Sequence, residues 1–261
     1  MWTRQQLKAN ARASLRRFHW YGVLVCLIVY MLCGTFDTGI ELNLNFTEID
    51  FGSSLLGQLN GSIEGEGIFG YLFRVSASVA WIVAGIASLV SLAFAWFVSN
   101  VVEIGGHRYF LSARERATPI SVLFDGFHTN YRGIVIAMML RSVLIFLWSL
   151  LFLVPGLIKG YAYRMVPYLL AENPNMDYRR ALSLSEEMMR GHKFETFVFD
   201  LSFLGWEILS VITNDLLGIL YVKPYLAAAH TEHYCAVRAE AFAHGLTDTN
   251  ELPGFSDNLN A

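Results

Sequence analysis

The chain has 261 residues, of which 54% are hydrophobic and only 16% are charged, whereas soluble domains carry roughly 25% charged residues. This composition predicts an integral membrane protein and argues against an ordinary water-soluble domain. The formal net charge of −3 gives no sign of a nucleic-acid partner, and the three cysteines lack the spacing of a disulfide framework or a metal site.

Residues 1–17 predict a basic amphipathic helix that lies on the membrane surface. They contain five Lys or Arg residues and no acid, and Thr3 followed by Gln6 fits a capping box at the helix start. The basic side comprises Arg4, Lys8, Arg12 and Arg16, and the apolar side comprises Trp2, Leu7, Ala11, Leu15 and Phe18. The apolar segment from about Trp20 to Phe36 then predicts a first transmembrane helix. A signal peptide has the same basic-then-apolar order, but the long basic region and the lack of a clear cleavage site favour an uncleaved helix.

Residues 37–74 predict an acidic loop outside the cytoplasm. The segment holds six acidic residues and one basic residue, and it follows a basic N-terminus, which by the positive-inside rule marks the cytoplasmic side. Apolar and polar residues alternate from Ile40 to Phe46, which predicts a short strand or hairpin within the loop.

The run from Val75 to Val98 predicts the second crossing. Its 24 residues include no Asp, Glu, Lys, Arg, His, Asn or Gln, and a helix of that length is roughly 36 Å long, enough to cross a hydrocarbon core of about 30 Å. Small residues recur along the run at steps of four, which favours close packing of helices in lipid.

A cytoplasmic loop is predicted over 99–132, because basic residues are frequent there. Within the loop, Thr118-Pro119 predicts the start of a short surface helix over Ile120–Phe127. A third crossing is predicted from Gly133 to Val154, where the Pro-Gly pair that follows ends it.

The next apolar stretch, Leu157–Ala171, is short and has two interpretations. It is either a fourth crossing that forms a hairpin with the third, which we favour, or a re-entrant half-helix. Residues 172–195 predict a second cytoplasmic loop that carries an amphipathic helix. Crossings five and six are predicted over Thr196–Thr213 and Leu216–Val237, and residues 238–261 are predicted to be a flexible, acidic cytoplasmic tail.

The most specific motifs of the chain lie between Leu147 and Pro174. They are Leu147-Trp148-Ser149-Leu150-Leu151, Pro155-Gly156-Leu157-Ile158-Lys159, Tyr163-Arg164-Met165 and Pro167-Tyr168-Leu169-Leu170-Ala171-Glu172-Asn173-Pro174. This run resembles the signature of a bacterial membrane-protein family catalogued as domain of unknown function 975. The resemblance covers the chain except the acidic loop and the tail. It implies a multi-pass membrane protein with no assigned activity and no catalytic residues to carry over.

Six ionisable side chains in or beside the hydrophobic segments stand out, because a charge is expensive there and usually faces the bundle interior. They are Arg141, Lys159, Arg164, Asp200, Glu207 and Asp215, of which the first five are the candidate ligand-binding residues. Asp200 and Glu207 are seven residues apart and therefore share a helical face. We hypothesise that the two arginines and the two acids form a buried cluster that recognises a polar headgroup or an ion. The alternative is internal ion pairing, with long side chains reaching towards water.

Other candidate chemistry is weaker. His230 and His233 lie i, i+3 on one helix face, but no third ligand is identifiable, so no metal site is predicted. No catalytic triad, Cys-His pair or phosphate loop stands out, which argues against an enzyme and predicts no cofactor.

The predicted fold is thus an all-α polytopic transmembrane bundle of about six crossings over residues 18–237, with short amphipathic cytoplasmic helices. Its predicted location is the bacterial plasma membrane, with the N-terminus in the cytoplasm. The predicted function is a non-enzymatic membrane component that binds lipid, a membrane-protein partner or a second copy of itself. The alternative is a transporter or permease-like protein that uses the buried charges.

Overall fold

The computed structural model describes residues 2–33, 82–86, 88–90, 93–213 and 215–254. The chain divides into two compact units, Leu42–Phe94 on the one hand and the remaining residues on the other. In the Leu42–Phe94 unit, the described residues are helical. The predicted strand or hairpin around residues 40–46 lies outside the described residues, and so do ten of the 24 residues of the predicted second crossing.

The larger unit is built from helices, and its described residues contain no strand. Its α-helices are α1 Arg4–Cys33, α2 Asn100–Glu115, α3 Asp125–His128, α4 Tyr131–Leu151, α5 Leu153–Ala162, α6 Val166–Glu172, α7 Tyr178–Met188, α8 Lys193–Leu201, α9 Leu204–Ile212 and α10 Lys223–Ala243. Two π-helical turns, Ala95–Ser99 and Gly218–Val222, lead into α2 and α10, and a 3₁₀ turn, Ile120–Phe124, precedes α3.

The start of α1 has the predicted capping box. The Thr3 backbone N–H donates to Gln6 Oε1 at 3.3 Å, and the Gln6 backbone N–H donates to Thr3 Oγ1 at 3.4 Å. A kink at Phe18, with φ −133° and ψ 26°, separates the basic part of α1 from the apolar part. This break falls at the predicted boundary after residue 17.

The apolar side of the basic N-terminal helix differs from the prediction. Leu7, Ala11 and Leu15 are almost completely buried, in one cluster with residues of α2, α8 and α10. Protein, not lipid, covers these side chains, which fill the space beside α10. The helix therefore presents its basic side outward while its apolar side completes the core.

Two described helices are long and apolar enough to cross a membrane, the segment Arg4–Leu32 of α1 and the segment Tyr131–Leu151, which is α4. Six crossings are therefore not confirmed. The predicted fourth crossing is divided between α5, with ten residues, and α6, with seven, and α6 is buried along its whole length. The predicted fifth crossing is likewise divided between α8 and α9, each of nine residues. Helices of this length are much shorter than a bilayer core.

The predicted sixth crossing includes the first fifteen residues of α10, the central helix of this unit, which begins at Lys223. Every residue from Lys223 to Tyr234 is buried, and both hydrophobic clusters of the unit include residues of α10. A helix that is covered on all sides by protein must pair its polar side chains internally. α10 therefore organises the polar contacts described below.

The C-terminal region corrects the prediction of a flexible tail from residue 238. α10 continues to Ala243, and the segment 244–254, here called the C-terminal arm, packs on the unit. Leu252 is completely buried, and the Asn173 side chain donates to the Glu251 carbonyl oxygen at 3.0 Å. The arm is held because Arg180 donates to both carboxylate oxygens of Glu251, at 2.6 and 2.9 Å.

Acidification should loosen the C-terminal arm. The hydrogen bond from Arg180 holds the pKa of Glu251 below its ordinary value of 4.5. A carboxyl group with a lowered pKa contributes stability that is complete above the ordinary pKa and is lost as the pH falls through the lower, folded-state pKa. Amide protection in residues 246–252, measured by hydrogen exchange, should therefore fall below about pH 4.5. In Glu251→Gln, protection should be lower at neutral pH and should change less with acid; an arm that stays protected to pH 2 in the unmodified chain would contradict this account.

Candidate functional site

The buried carboxylate of Asp200 is the centre of a charged network. Arg164 Nη1 and Nη2 donate to Asp200 Oδ2 and Oδ1 at 2.7 and 3.2 Å. The Tyr161 hydroxyl donates to Oδ2 at 3.0 Å, and His230 Nε2 lies 3.0 Å from Oδ1. Both carboxylate oxygens thus have hydrogen-bond partners within the protein, and only 6% of Asp200 is exposed to solvent.

Three helices bring this Asp200 network together. Tyr161 lies on α5, Arg164 lies in the turn between α5 and α6, Asp200 lies on α8, and His230 lies on α10. A bidentate guanidinium–carboxylate pair fixes both distance and orientation. The network consequently ties the α5–α6 turn and α8 to the central helix.

A second network surrounds Glu172 at the end of α6. Arg238 donates to both of its carboxylate oxygens, the Tyr234 hydroxyl donates to Oε2 at 2.7 Å, and the Gly254 backbone N–H donates to Oε1 at 2.9 Å. The carboxylate is almost fully buried. This second network joins α6, α10 and the C-terminal arm.

A third polar contact involves Glu232 on the side of α10 that faces α1 and α2. Arg114 Nε donates to Glu232 Oε1 at 2.8 Å, and the Ser14 hydroxyl donates to the same oxygen at 3.3 Å. Glu232 is buried, whereas the Arg114 side chain is 37% exposed. Arg114 can therefore neutralise Glu232 and still reach the surface with its remaining donors.

The two histidines of α10 have different partners. His230 contacts Asp200, whereas His233 Nε2 lies 3.2 Å from the Thr196 hydroxyl, and its ring packs against Trp2 and Phe199. Within the described residues, no group of three or more His, Cys, Asp or Glu side chains has the arrangement of a metal site. The environment of each histidine is that of a partnered core side chain.

The structure places the five predicted site residues in different surroundings. Arg164 and Asp200 are in direct contact. Lys159 pairs with Glu186, with Nζ and Oε1 2.7 Å apart. Glu207 lies beside the Lys223–Asp215 ion pair, and Arg141 lies half-buried on α4. The predicted ion pairing is thus present between Arg164 and Asp200, and ligand binding by these residues stays a prediction.

Several members of these networks were missed by sequence reasoning. Tyr161 and Glu172 occur in the run that carries the family resemblance, but nothing in that run marks them as partners of α8 or α10. The ion pair between Arg114 and Glu232 joins residues 118 positions apart, and no local pattern reveals such a contact. The one signal available was the presence of His230, Glu232 and His233 in an otherwise apolar segment.

A cavity of about 580 Å³ lies between the first turns of α1, the end of α2 and α10. Its wall includes both arginine–glutamate pairs, Arg114 with Glu232 and Arg238 with Glu172, together with Trp2. A second cavity lies at the α1 kink, and a third lies between the chain start and α8. The walls of these three cavities do not include Arg164, Asp200 or His230, so in this structure the Asp200 network is sealed from them.

Comparison with known proteins identifies a family. A family model described as "Protein of unknown function (DUF975)" matches residues 71–241, which include α2 to α9 and most of α10. No curated protein and no solved structure matches the chain.

Proposed function

The chain belongs to the DUF975 family of proteins of unknown function, and from that premise we propose that it is a multi-pass integral membrane protein that binds lipid or a protein partner and has no enzymatic activity of its own. In this proposal the N-terminus is cytoplasmic. Four exposed arginines of the basic N-terminal helix support that orientation; they are Arg4, Arg12, Arg16 and Arg17.

The exposed apolar turn between α4 and α5 carries the proposal. All nine residues from Phe146 to Val154 are exposed, and eight of them are large and apolar. The helical part of this stretch, from Phe146 to Leu151, covers more than one turn, so exposed apolar side chains project from several sides of the axis, with Ser149 the one polar residue among them. A water-soluble protein does not stabilise such a surface, whereas a bilayer solvates it.

The buried charges support binding or scaffolding more than transport. Asp200 has ion-pair and hydrogen-bond partners at both carboxylate oxygens, and so has Glu172. Groups with complete internal partners hold helices together without requiring a ligand. The cavity beside Arg114 and Arg238, by contrast, has polar groups near its surface that a ligand or a partner can reach.

Replacing Leu150 with Asp distinguishes a lipid-facing from a water-facing turn. Leu150 is 73% exposed. In water, a substitution at such a site changes stability by roughly 0.5 kcal/mol or less, whereas an acid that faces lipid costs up to about 3 kcal/mol, depending on its depth in the membrane. We expect Leu150→Asp to reduce sharply the amount of monodisperse protein extracted from membranes by a mild detergent.

The matched control is Ala9→Asp, which places the same acid at an exposed position of α1 outside the walls of the three cavities. This control variant should be extracted at the normal level. Equal yields of the two variants, or release of the unmodified protein from membranes by alkaline carbonate, would overturn the membrane proposal.

The binding part of the proposal needs a separate experiment. Native mass spectrometry of the protein released gently from its own membrane reports copy number, bound lipid and bound protein together. A reproducible lipid adduct or a stoichiometric protein complex supports the proposal. A bare monomer under conditions that preserve a known membrane complex speaks against it.

The transport alternative depends on the Asp200 network, because ionisable groups inside a membrane bundle are often functional. Under this alternative, the protein should move an ion or solute across the membrane of proteoliposomes. Asp200→Asn should abolish that movement while the protein remains folded. A panel of ions and amino acids should be tested in proteoliposomes with and without the protein. Equal rates of movement across the two kinds of vesicle would contradict the transport alternative.

A further inference from the structure

A cavity of about 640 Å³ opens beside the kink of α1. Its wall combines residues of α1 around the kink, the last turn of α2 and the segment 116–120 that follows α2. We call it the basic cleft. Its chemically informative side chains are Arg17, Tyr21, Tyr109, Arg114, Glu115 and Arg116.

Two guanidinium groups of the basic cleft have unused donors. Arg114 is paired with Glu232, but no carboxylate of the described residues lies within 4.0 Å of the guanidinium of Arg17 or Arg116. Glu115 is the one acid in the wall of this cleft, and it is exposed to solvent. The wall therefore has a net positive charge and an excess of hydrogen-bond donors, which is the chemistry that recognises phosphate.

The location of the basic cleft suits a membrane interface. Directly after the kink, Trp20 is 75% exposed and Tyr21 is 61% exposed, and the apolar part of α1 follows. Exposed Trp and Tyr at the end of a transmembrane segment lie at the level of the lipid headgroups. When α1 crosses the membrane, Arg17 and Arg116 are consequently at the height of the lipid phosphates.

The remaining wall of the basic cleft matches the other parts of a lipid. Phe18 and Ile120 give it an apolar side, and Tyr21 combines an aromatic ring with a hydroxyl group. A free phosphate ion needs only the cationic side of such a site, whereas a phospholipid also uses the apolar side. The combination favours a lipid as the source of the phosphate.

We propose that the basic cleft between the α1 kink and the end of α2 binds the phosphate group of an anionic phospholipid, with Arg17 and Arg116 as its ligands. The proposal depends on the membrane location proposed above and specifies the class of lipid and the site. It predicts selectivity for phosphatidylglycerol over phosphatidylcholine, because only the first carries a net negative charge.

The test compares two double variants of the full chain in detergent. Arg17→Gln/Arg116→Gln removes both cleft ligands, and Arg4→Gln/Arg16→Gln removes two positive charges of the same basic N-terminal region outside the cleft wall. Native mass spectrometry titrations with short-chain phosphatidylglycerol and phosphatidylcholine give the apparent affinities. We expect the cleft variant to bind phosphatidylglycerol on the order of tenfold or more weakly, and the control variant to bind it almost as well as the unmodified chain.

Three outcomes decide the matter. Loss of affinity in the cleft variant alone supports the site. Equal losses in both variants overturn it, because diffuse attraction to positive charge explains them equally well. Competition by inorganic phosphate or glycerol phosphate at millimolar concentration supports a phosphate site but reassigns its ligand to a water-soluble phosphate ester.

The proposed membrane location can fail separately. Carbonate release of the protein refutes the location, whereas a membrane-retained protein that binds phosphatidylglycerol no more tightly than phosphatidylcholine refutes the basic cleft alone. Circular dichroism and the thermal midpoint of each variant show whether it is folded. Since Arg17 is exposed and Arg116 is half-buried, both variants should keep the native midpoint within about 2 °C.

Discussion

Replacing Asp200 with Ala should lower the free energy of unfolding by about 3–5 kcal/mol, because the substitution leaves Arg164 buried without its carboxylate. The Arg164 side chain is 15% exposed and the Asp200 side chain 2%, so water cannot fully replace the lost partner. In a chain of this size, such a loss lowers the thermal midpoint by on the order of 10 °C. The thermal midpoint of the purified protein in detergent is the appropriate measurement.

A double variant separates charge from packing. In Arg164→Met/Asp200→Leu both charges are gone and the side-chain volume is largely kept, so much of the lost stability should return. An Asp200→Ala variant with an unchanged midpoint would show that the Asp200 network does not hold α8 to the α5–α6 turn. A double variant as unstable as the single one would assign the loss to packing around residue 200.

The substitution Gly105→Ala should be similarly damaging for a different reason. A Cβ atom at this position on α2 would lie 2.6 Å from the carbonyl carbon and 2.8 Å from the Cα of Leu123, and closer still to the carbonyl oxygen. These are backbone atoms of the 3₁₀ turn, which cannot rotate away as a side chain can. We expect a loss of about 3 kcal/mol, as for severe overpacking of a core.

Gly160→Ala is the matched control for the Gly105 substitution. Gly160 also lies within a helix, α5, but a Cβ there meets no atom within 4 Å. Because alanine favours a helix over glycine by about 1 kcal/mol, this control variant should have the native thermal midpoint or a slightly higher one. If Gly105→Ala is as stable as Gly160→Ala, this result would contradict the close contact between α2 and the 3₁₀ turn.

The Gly105 variant also tests the basic cleft. The 3₁₀ turn begins at Ile120, which belongs to the wall of that cleft. A displaced turn would move this apolar wall away from α1, so phosphatidylglycerol affinity should fall even though Arg17 and Arg116 are intact. We therefore expect both the stability and the lipid affinity to fall in Gly105→Ala. In Arg17→Gln/Arg116→Gln the lipid affinity should fall while the stability stays native.

Local signals in the sequence predicted local structure well. The capping box at Thr3 and Gln6 and the all-α class are confirmed, because the first depends on residues three positions apart and the second on composition. Asn173 ends α6, and Asp177 caps α7 by accepting a hydrogen bond from the Arg179 backbone N–H. Such features follow from backbone geometry that neighbouring side chains determine.

Features that depend on distant partners were not predictable. The segment Thr196–Thr213 has the apolar content of one crossing, but its helix is interrupted at Ser202 and Phe203, where Lys8 from α1 donates to the Ser202 carbonyl oxygen. Leu252 lies in a polar sequence, and only its pocket beside α6 and α10 explains its burial. Pairing between segments far apart in the chain leaves no periodic trace in a single sequence.

The order of the helices along the chain affects how the polar interior is assembled, because α10 is synthesised after α2 and α6. Chains fold from the N-terminus as they leave the ribosome. Glu172 can bind Arg238 and Tyr234 only after α10 has been synthesised. Arg114 likewise pairs with Glu232 only then. A nascent chain that stops before α10 thus retains an acid and a base whose partners do not yet exist. Synthesis of α10 therefore completes the polar interior, so a chain that ends before α10 differs chemically from one that includes it.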